Sequence, residues 1–240
     1  MVRASQAHVE GIGRVVREVW DQEILPDACR RLICSLWSTI WVAESEGSVE
    51  GFASGFLTVD GSGRRRGEID LLAVRPDRQG EGLGPRLIAG LAEEATYWKV
   101  DVLRALIRVE NHPSQKAFGR AGFKTDRRVH RLLLWSPRSS LQAPEPPESV
   151  SLIPVDTITY RGLWIEGLAR VGHPAQREAV AAARAFAAQE NRLNTGALVL
   201  AGAATGLAPG LAQEATLQGD YYWFRRGSEW SRQGRMMPGV

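Results

Sequence analysis

The stretch that most narrows what this chain can fold into is Leu72-Ala73-Val74-Arg75-Pro76-Asp77-Arg78-Gln79-Gly80-Glu81-Gly82-Leu83-Gly84. It continues an apolar run, residues 68–74, that reads as a strand ending at Arg75-Pro76. It leads into residues 85–99, where Leu87, Ile88, Leu91, Ala92 and Ala95 recur at helical spacing. A strand that passes through glycines straight into a helix implies a layered α/β architecture. Glycines leave backbone N–H groups uncovered and the helix adds the positive end of its dipole, so the turn suits an anion such as a pyrophosphate. A dinucleotide fingerprint would need glycine where Pro85 stands, and its strand should begin the fold. A P-loop would need Gly-Lys-Ser/Thr, which is absent. A tight strand-to-helix turn without any ligand stays open at this point.

The remaining pattern is mixed. Val9, Ile12, Val15, Val16 and Val19 predict a helix over residues 8–20, and a second follows Pro26 over 27–37. Residues 40–44 and 49–59 read as strands joined at Glu46-Gly47-Ser48, with a short initial strand at 2–4. After the helix at 85–99 come a buried-looking strand at 102–109, a short helix at 114–121 and a strand at 123–135. The fold class is therefore α/β with a mixed, partly antiparallel sheet. Residues 136–149 carry four prolines and no apolar periodicity, which reads as a linker. It divides the chain into a first domain, 1–135, and a smaller α/β domain, 150–240.

Composition adds exclusions. A formal net charge of +3 is too mild to point to nucleic acid. Arg64-Arg65-Arg66 reads first as a solvated hairpin tip and second as a landing site for an anionic substrate. No run approaches a membrane span, the N-terminus has no signal-like apolar stretch, and two cysteines, Cys29 and Cys34, make no disulfide framework. The expectation is a cytoplasmic protein with no membrane partner. His130 and His173 have no companion at metal spacing and read as structural, so no metal is expected. Trp37, Trp41, Trp164, Trp223 and Trp230 read as core or domain-contact residues. The tail containing Gly234, Met236, Met237 and Pro238 reads as loosely held.

A second motif stands at some distance beyond the glycine turn: Asn111-His112-Pro113-Ser114-Gln115-Lys116-Ala117-Phe118-Gly119-Arg120-Ala121-Gly122-Phe123. Together with Val74, Pro76, Gln79, Gly82 and Gly84, this pair of spaced motifs resembles the GNAT superfamily of acyl-coenzyme A-dependent N-acyltransferases over residues 1–135. The resemblance implies acetyl-coenzyme A as cosubstrate. Backbone N–H groups of Gln79, Gly80, Glu81, Gly82, Leu83 and Gly84 would cradle its pyrophosphate. The strand edge at Leu72, Ala73 and Val74 would pair with the pantetheine arm, and a splay from the strand at 102–109 would admit it. Asn111 would contact pantetheine, although a helix cap before Pro113 explains it equally well. Ser114 and Phe118 would lie beside the thioester. Many members carry tyrosine at the position of Phe118 to protonate the leaving thiolate, and phenylalanine cannot.

Transfer to a primary amine of a small molecule or peptide needs a proton acceptor, because an amine of pKa about 10.4 is cationic at neutral pH. Glu68, six residues before Val74, is spaced like the catalytic glutamate of the family's histone acetyltransferase branch, and Asp70 is the reserve base. An ordinary polar strand start would account for both. A rival reading is a catalytically weak acyl-coenzyme A-binding regulatory or scaffold protein. Residues 150–240 echo the cofactor-binding half at a steady offset, with 177–191 matching the helix at 85–99, 196–201 the next strand and 221–225 the last. In that echo His173-Pro174-Ala175-Gln176-Arg177-Glu178 replaces the glycine turn, so one cofactor per chain is expected, in a homodimer or an intrachain pseudo-dimer. Chance similarity, or a helix over residues 159–168 bearing Tyr160, Leu163, Trp164 and Leu168, are the alternatives.

Overall fold

The structure, a computed structural model, describes residues 1–140 and 144–227. Trp230, Gly234, Met236, Met237 and Pro238 lie outside the described residues. After a short edge strand β1 (Val2–Arg3), Val9, Ile12, Val15 and Val16 fall on one face of α1 (Val9–Trp20) and are buried there. Pro26 opens α2 (Pro26–Cys34), which buries Cys29 and leaves Cys34 exposed. Strands β2 (Ser38–Ser45) and β3 (Ser48–Val59) form a hairpin. Glu46 and Gly47, at φ 50° and 77°, make the left-handed turn that matches strand twist. Next come β4 (Arg65–Val74), α3 (Leu83–Tyr97), β5 (Val102–Arg108) and α4 (His112–Arg120). The chain goes on through β6 (Lys124–Thr125), β7 (His130–Trp135), β8 (Ser151–Asp156), β9 (Arg161–Glu166) and α5 (His173–Gln189). It closes with β10 (Thr195–Leu200), the single turn α6 (Leu211–Glu214) and β11 (Thr216–Gly227).

Among the described residues all the strands join one sheet, in the order β1-β2-β3-β4-β5-β11-β7-β10-β9-β8, with β6 paired to β11 off that path. The order mirrors itself about the β11–β7 junction. On one side β3–β4 is antiparallel, β4–β5 parallel and β5–β11 antiparallel. On the other, β8–β9 is antiparallel, β9–β10 parallel and β10–β7 antiparallel. Each half thus receives its last strand from the other part of the chain. The sequence divides at 136–149, yet the sheet interleaves what lies on either side of that segment.

The strand expected at 123–135 is broken in two at Arg127, whose φ is 55°. Its second part, β7, leaves β5 and pairs with β10, while β11 takes the place beside β5 in the register Trp223↔Leu106 and Phe224↔Ala105. Side-chain alternation explains the fit. Phe224 enters the core beneath α3 and α4, and Trp223 points to the opposite face. The helical alternative for 159–168 is overturned as well: β9 buries Leu163 and Ile165 on one face while Trp164 points to the other. Arg66 is not part of a solvated tip. It is 4% exposed and ion-pairs with Glu166 across the two halves. Trp37 stands 59% exposed rather than in a core.

Three apolar clusters hold the layers. α3 and α4 cover one face of β3, β4, β5 and β11 through Leu87, Ile88, Leu91 and Phe118. α1 and α2 cover β2 and β3, and α5 covers β7, β9 and β10 through Ala179, Val180 and Ala183. At Gly90 any Cβ would meet the Trp41 ring at 2.6 Å, so α3 reaches its distance from β2 only with glycine there. The faces opposite α3 and α5 meet each other, with Phe56 against Trp164 at 6.4 Å.

Candidate active site

The site begins with two irregularities in β4. Its pairing with β3 shifts between Ala53↔Leu72 and Gly55↔Ile69, so β4 carries one extra residue around Asp70 and Leu71. Its pairing with β5 covers Arg66–Ile69 only, and beyond Ile69 the two parallel strands diverge. A bulge and a splay thus coincide at residues 70–72, between two cavities that use the same strand.

The first cavity is a groove of about 450 Å³ above the splay. Ten of the residues singled out from the sequence line it: Leu72, Ala73, Val74, Gln79, Gly80, Gly82, Leu83, Gly84, Asn111 and Ser114. The Gln79 side chain donates to the Val74 carbonyl at 3.1 Å and closes the loop ahead of α3. Gly80 and Gly82 hold φ of 88° and 77°, and a Cβ at either would meet nothing within 4 Å, so their bare faces turn to open space. Asn111 Oδ1 accepts from the Ser114 N–H at 3.1 Å, which is the helix cap that local sequence suggested.

Two predicted residues do not line the groove with their side chains. The Glu81 carboxylate is held by Arg78 at 2.9 and 3.0 Å. Phe118 is 3% exposed, edge-on to Phe123 at 5.1 Å and tilted against Phe224 at 6.2 Å, so it belongs to the core under the groove. The groove also takes Val19 and Trp20 from α1 and three cations, Arg78, Lys116 and Arg120. The i,i+4 spacing of Lys116 and Arg120 on α4 was the signal that could have found them.

The second cavity, about 380 Å³, opens on the other side of the bulge and is walled by both halves. Glu68 and Asp70 reach it from β4, and Thr157, Tyr160, Trp164 and Asn194 from the second half. Glu68 is locked. Arg104 holds its two oxygens at 2.8–2.9 Å, and the Thr58 hydroxyl donates to it at 2.8 Å. A carboxylate so occupied holds Arg104 in place rather than reaching for a proton, which counts against its expected part as base.

Asp70 differs. It is exposed, and its carboxylate opens onto the cavity that both halves wall. Desolvation pushes its pKa up to about 7, opposed by a hydrogen bond with Thr157 and helped by the charge of Glu68. Burial likewise raises Tyr160 to about 12, so it stays protonated and its hydroxyl donates to Asn194. These second-half residues carried no motif in the sequence, because their relation to β4 exists only once the halves face each other.

The corresponding place in the second half is closed. Gln176 donates to the Val171 carbonyl at 3.0 Å, five residues back as Gln79 does to Val74. It also donates to the Gly206 carbonyl at 3.1 Å and accepts from the Ala208 N–H at 2.6 Å. Leu207, Ala208 and Leu211 fill the space beside α5 and are buried. Among the described residues no group of His, Cys, Asp and Glu could hold a metal ion, and no helix is long and apolar enough to cross a membrane.

Residues 14–123 match the family model of the Acetyltransferase (GNAT) family. No curated protein matches the sequence. Among solved structures, a GCN5-related glucosamine N-acetyltransferase region of a fungal multi-domain β-N-acetylglucosaminidase is similar at TM-score 0.58 and 13% identity, covering 94% of this chain and 38% of that one. A GCN5-related N-acetyltransferase from Sphaerobacter thermophilus is similar at TM-score 0.54 and 13% identity, over 94% of both chains. These likenesses extend the shared fold beyond residue 123, through the second half.

Proposed function

We propose that the protein, whose residues 14–123 match the family model of the Acetyltransferase (GNAT) family, moves the acetyl group of acetyl-coenzyme A to a primary amine by direct attack on the thioester. The observation that carries this reading is the placement of two cavities on one strand: the groove touches β4 at Leu72, Ala73 and Val74, the second cavity at Glu68, Ile69 and Asp70. A thioester lying along Leu72–Val74 would present its carbonyl at the bulge, facing an amine held in the second cavity.

The groove suits the donor. The uncovered faces of Gly80 and Gly82 and the start of α3 would take the pyrophosphate, and Lys116 and Arg120 lie within reach of further phosphate charge. Backbone N–H groups of β4 beyond Ile69, released from β5, suit pantetheine and the developing oxyanion. In the second cavity the bound ammonium gives one proton to solvent and a second to Asp70 as its nitrogen bonds to the carbonyl carbon, and the carbon–sulfur bond breaks with the thiolate leaving. With pKa near 7 its carboxylate is substantially ionised at neutral pH while remaining a useful base. Phe118 gives the thiolate no proton, and a thiol of pKa about 8.5 leaves without one.

We read the second half as a repeat that has lost its cofactor groove to residues 206–211 and now supplies acceptor-side wall, which makes the chain an intrachain pseudo-dimer binding one acetyl-coenzyme A. A reduced pair of cysteines fits a cytoplasmic setting. Thiol release from acetyl-coenzyme A over a panel of amines tests the activity. Binding without amine-dependent release would instead favour the rival, a regulatory acyl-coenzyme A-binding protein.

A further inference from the structure

If the protein transfers an acetyl group to an amine, the cavity walled by both halves constrains which amine enters it. Two carboxylates face this cavity, and they are not equivalent. The charge of Glu68 is answered by Arg104 at 2.8 Å and Arg66 at 3.9 Å. Asp70 pairs with a hydroxyl, that of Thr157, rather than with a cation. The cavity therefore offers a cationic guest one carboxylate.

Part of its polar wall is occupied with itself. Thr157 Oγ1 accepts from the N–H of Tyr160 at 3.0 Å and that of Thr159 at 3.4 Å, and the Tyr160 hydroxyl is spent on Asn194. The rest is mainly apolar, including Phe56, Leu106, Leu132, Trp164 and Trp223. The Trp223 ring already carries the Arg104 guanidinium at 4.3 Å from its centre.

We propose that the acceptor is a monoamine, a single ammonium on a compact apolar or aromatic body, and that polyamines and amino sugars are rejected. The ammonium meets Asp70 and the body packs against Trp164 and Phe56, in a volume of about 380 Å³. A second ammonium would rest on apolar wall or against Arg104, and a buried charge without a partner is strongly disfavoured. A sugar would bring several hydroxyls to a wall where Thr157, Tyr160 and Asn194 already have their partners, leaving chiefly the exposed Gln218 and the Tyr221 hydroxyl to receive them.

The test compares kcat/KM, by thiol release from acetyl-coenzyme A, for phenethylamine, putrescine, spermidine and glucosamine. Phenethylamine is expected to exceed the others by at least about a hundredfold. A second arm adds a charge: Gln218→Glu, at an exposed position on the cavity wall, should raise the putrescine-to-phenethylamine ratio at least about tenfold. Equal or better turnover of putrescine, spermidine or glucosamine overturns the proposal, as does a ratio that Gln218→Glu leaves unmoved. If no amine is acetylated although acetyl-coenzyme A binds, the transfer reading is what fails. Calorimetry with the same amines then decides the cavity: tighter phenethylamine upholds the inference, tighter putrescine overturns it.

Discussion

Replacing Asp70 by asparagine keeps the shape of the side chain and removes its ability to take a proton. Because desolvation at the cavity wall lifts this carboxyl to about 7, about one part in eleven is ionised at pH 6 and about ten parts in eleven at pH 8. The amine's own ionisation also varies over this range, but it is common to both proteins. The ratio of wild-type to Asp70→Asn kcat/KM should therefore rise roughly tenfold from pH 6 to pH 8 and then level off, with an overall loss of about two to four orders of magnitude in the variant. Stability must move the other way. An aspartate ordinarily titrates near 3.8, so between about 4 and 7 the folded protein binds more protons than the unfolded chain and loses stability as pH rises. Asp70→Asn escapes that loss, and its melting temperature relative to wild type should be higher at pH 8 than at pH 4. Stopped thiol-release assays and thermal melts across pH 4–9 check both expectations. A wild-type-to-variant ratio that is flat with pH would refute Asp70 as the proton acceptor, whatever the size of the overall loss.

Glu68→Gln leaves Arg104 facing a neutral partner in a buried site, so it should cost stability on the order of 3 kcal/mol by denaturant titration, while the pH dependence assigned to Asp70 persists but moves to lower pH with the charge of Glu68 gone. Gly82→Val puts branched carbons into the groove at a φ of 77°, adding about 1–2 kcal/mol of backbone strain. Calorimetry on the folded fraction should show acetyl-coenzyme A affinity reduced at least about tenfold, and unchanged affinity contradicts the cradle. Lys116→Ala should weaken acetyl-coenzyme A more at low salt than at high salt, since its contribution is screened charge. A calorimetric titration of the intact chain should saturate at one acetyl-coenzyme A, because Ala208 and Leu207 occupy the second half's counterpart, and saturation at two would oppose the closed groove.

Much of the fold was legible because it is local. Val9, Ile12, Val15 and Val16 declare a helix face by their spacing, and the glycines at 80, 82 and 84 declare a strand-to-helix turn. The same holds for most of the donor groove, whose lining falls mainly in two short segments, 72–85 and 111–120. What the sequence left hidden depends on contacts far apart along the chain. Nothing in residues 216–227 announces that they lie beside β5 rather than beside their own half's β10, since a strand's alternation says which side chains share a face but not which neighbour it takes. The roles of Glu68 and Asp70 exchanged weight for a similar reason. Spacing favoured Glu68, but Arg104 stands thirty-six positions away in sequence and binds it only because β4 and β5 pair in the register Glu68↔Arg104. Asp70 gains its raised pKa from desolvation at the wall of a cavity between halves that the sequence does not bring together. Phe118, expected beside the thioester, faces inward because Phe224, from a strand at the far end of the chain, packs on it.

The decisive experiment supplies acetyl-coenzyme A labelled in its acetyl group together with phenethylamine and measures thiol and N-acetyl product in the same reaction by mass spectrometry. The arrangement of groove, bulge and second cavity on β4 predicts that labelled amide and free thiol appear in equal amounts, and that both fall together in Asp70→Asn. Thiol released without amide would mean that water, not an amine, reaches the thioester. Amide formed at the same rate in Asp70→Asn would mean that the amine does not lose its proton to the carboxylate at that bulge.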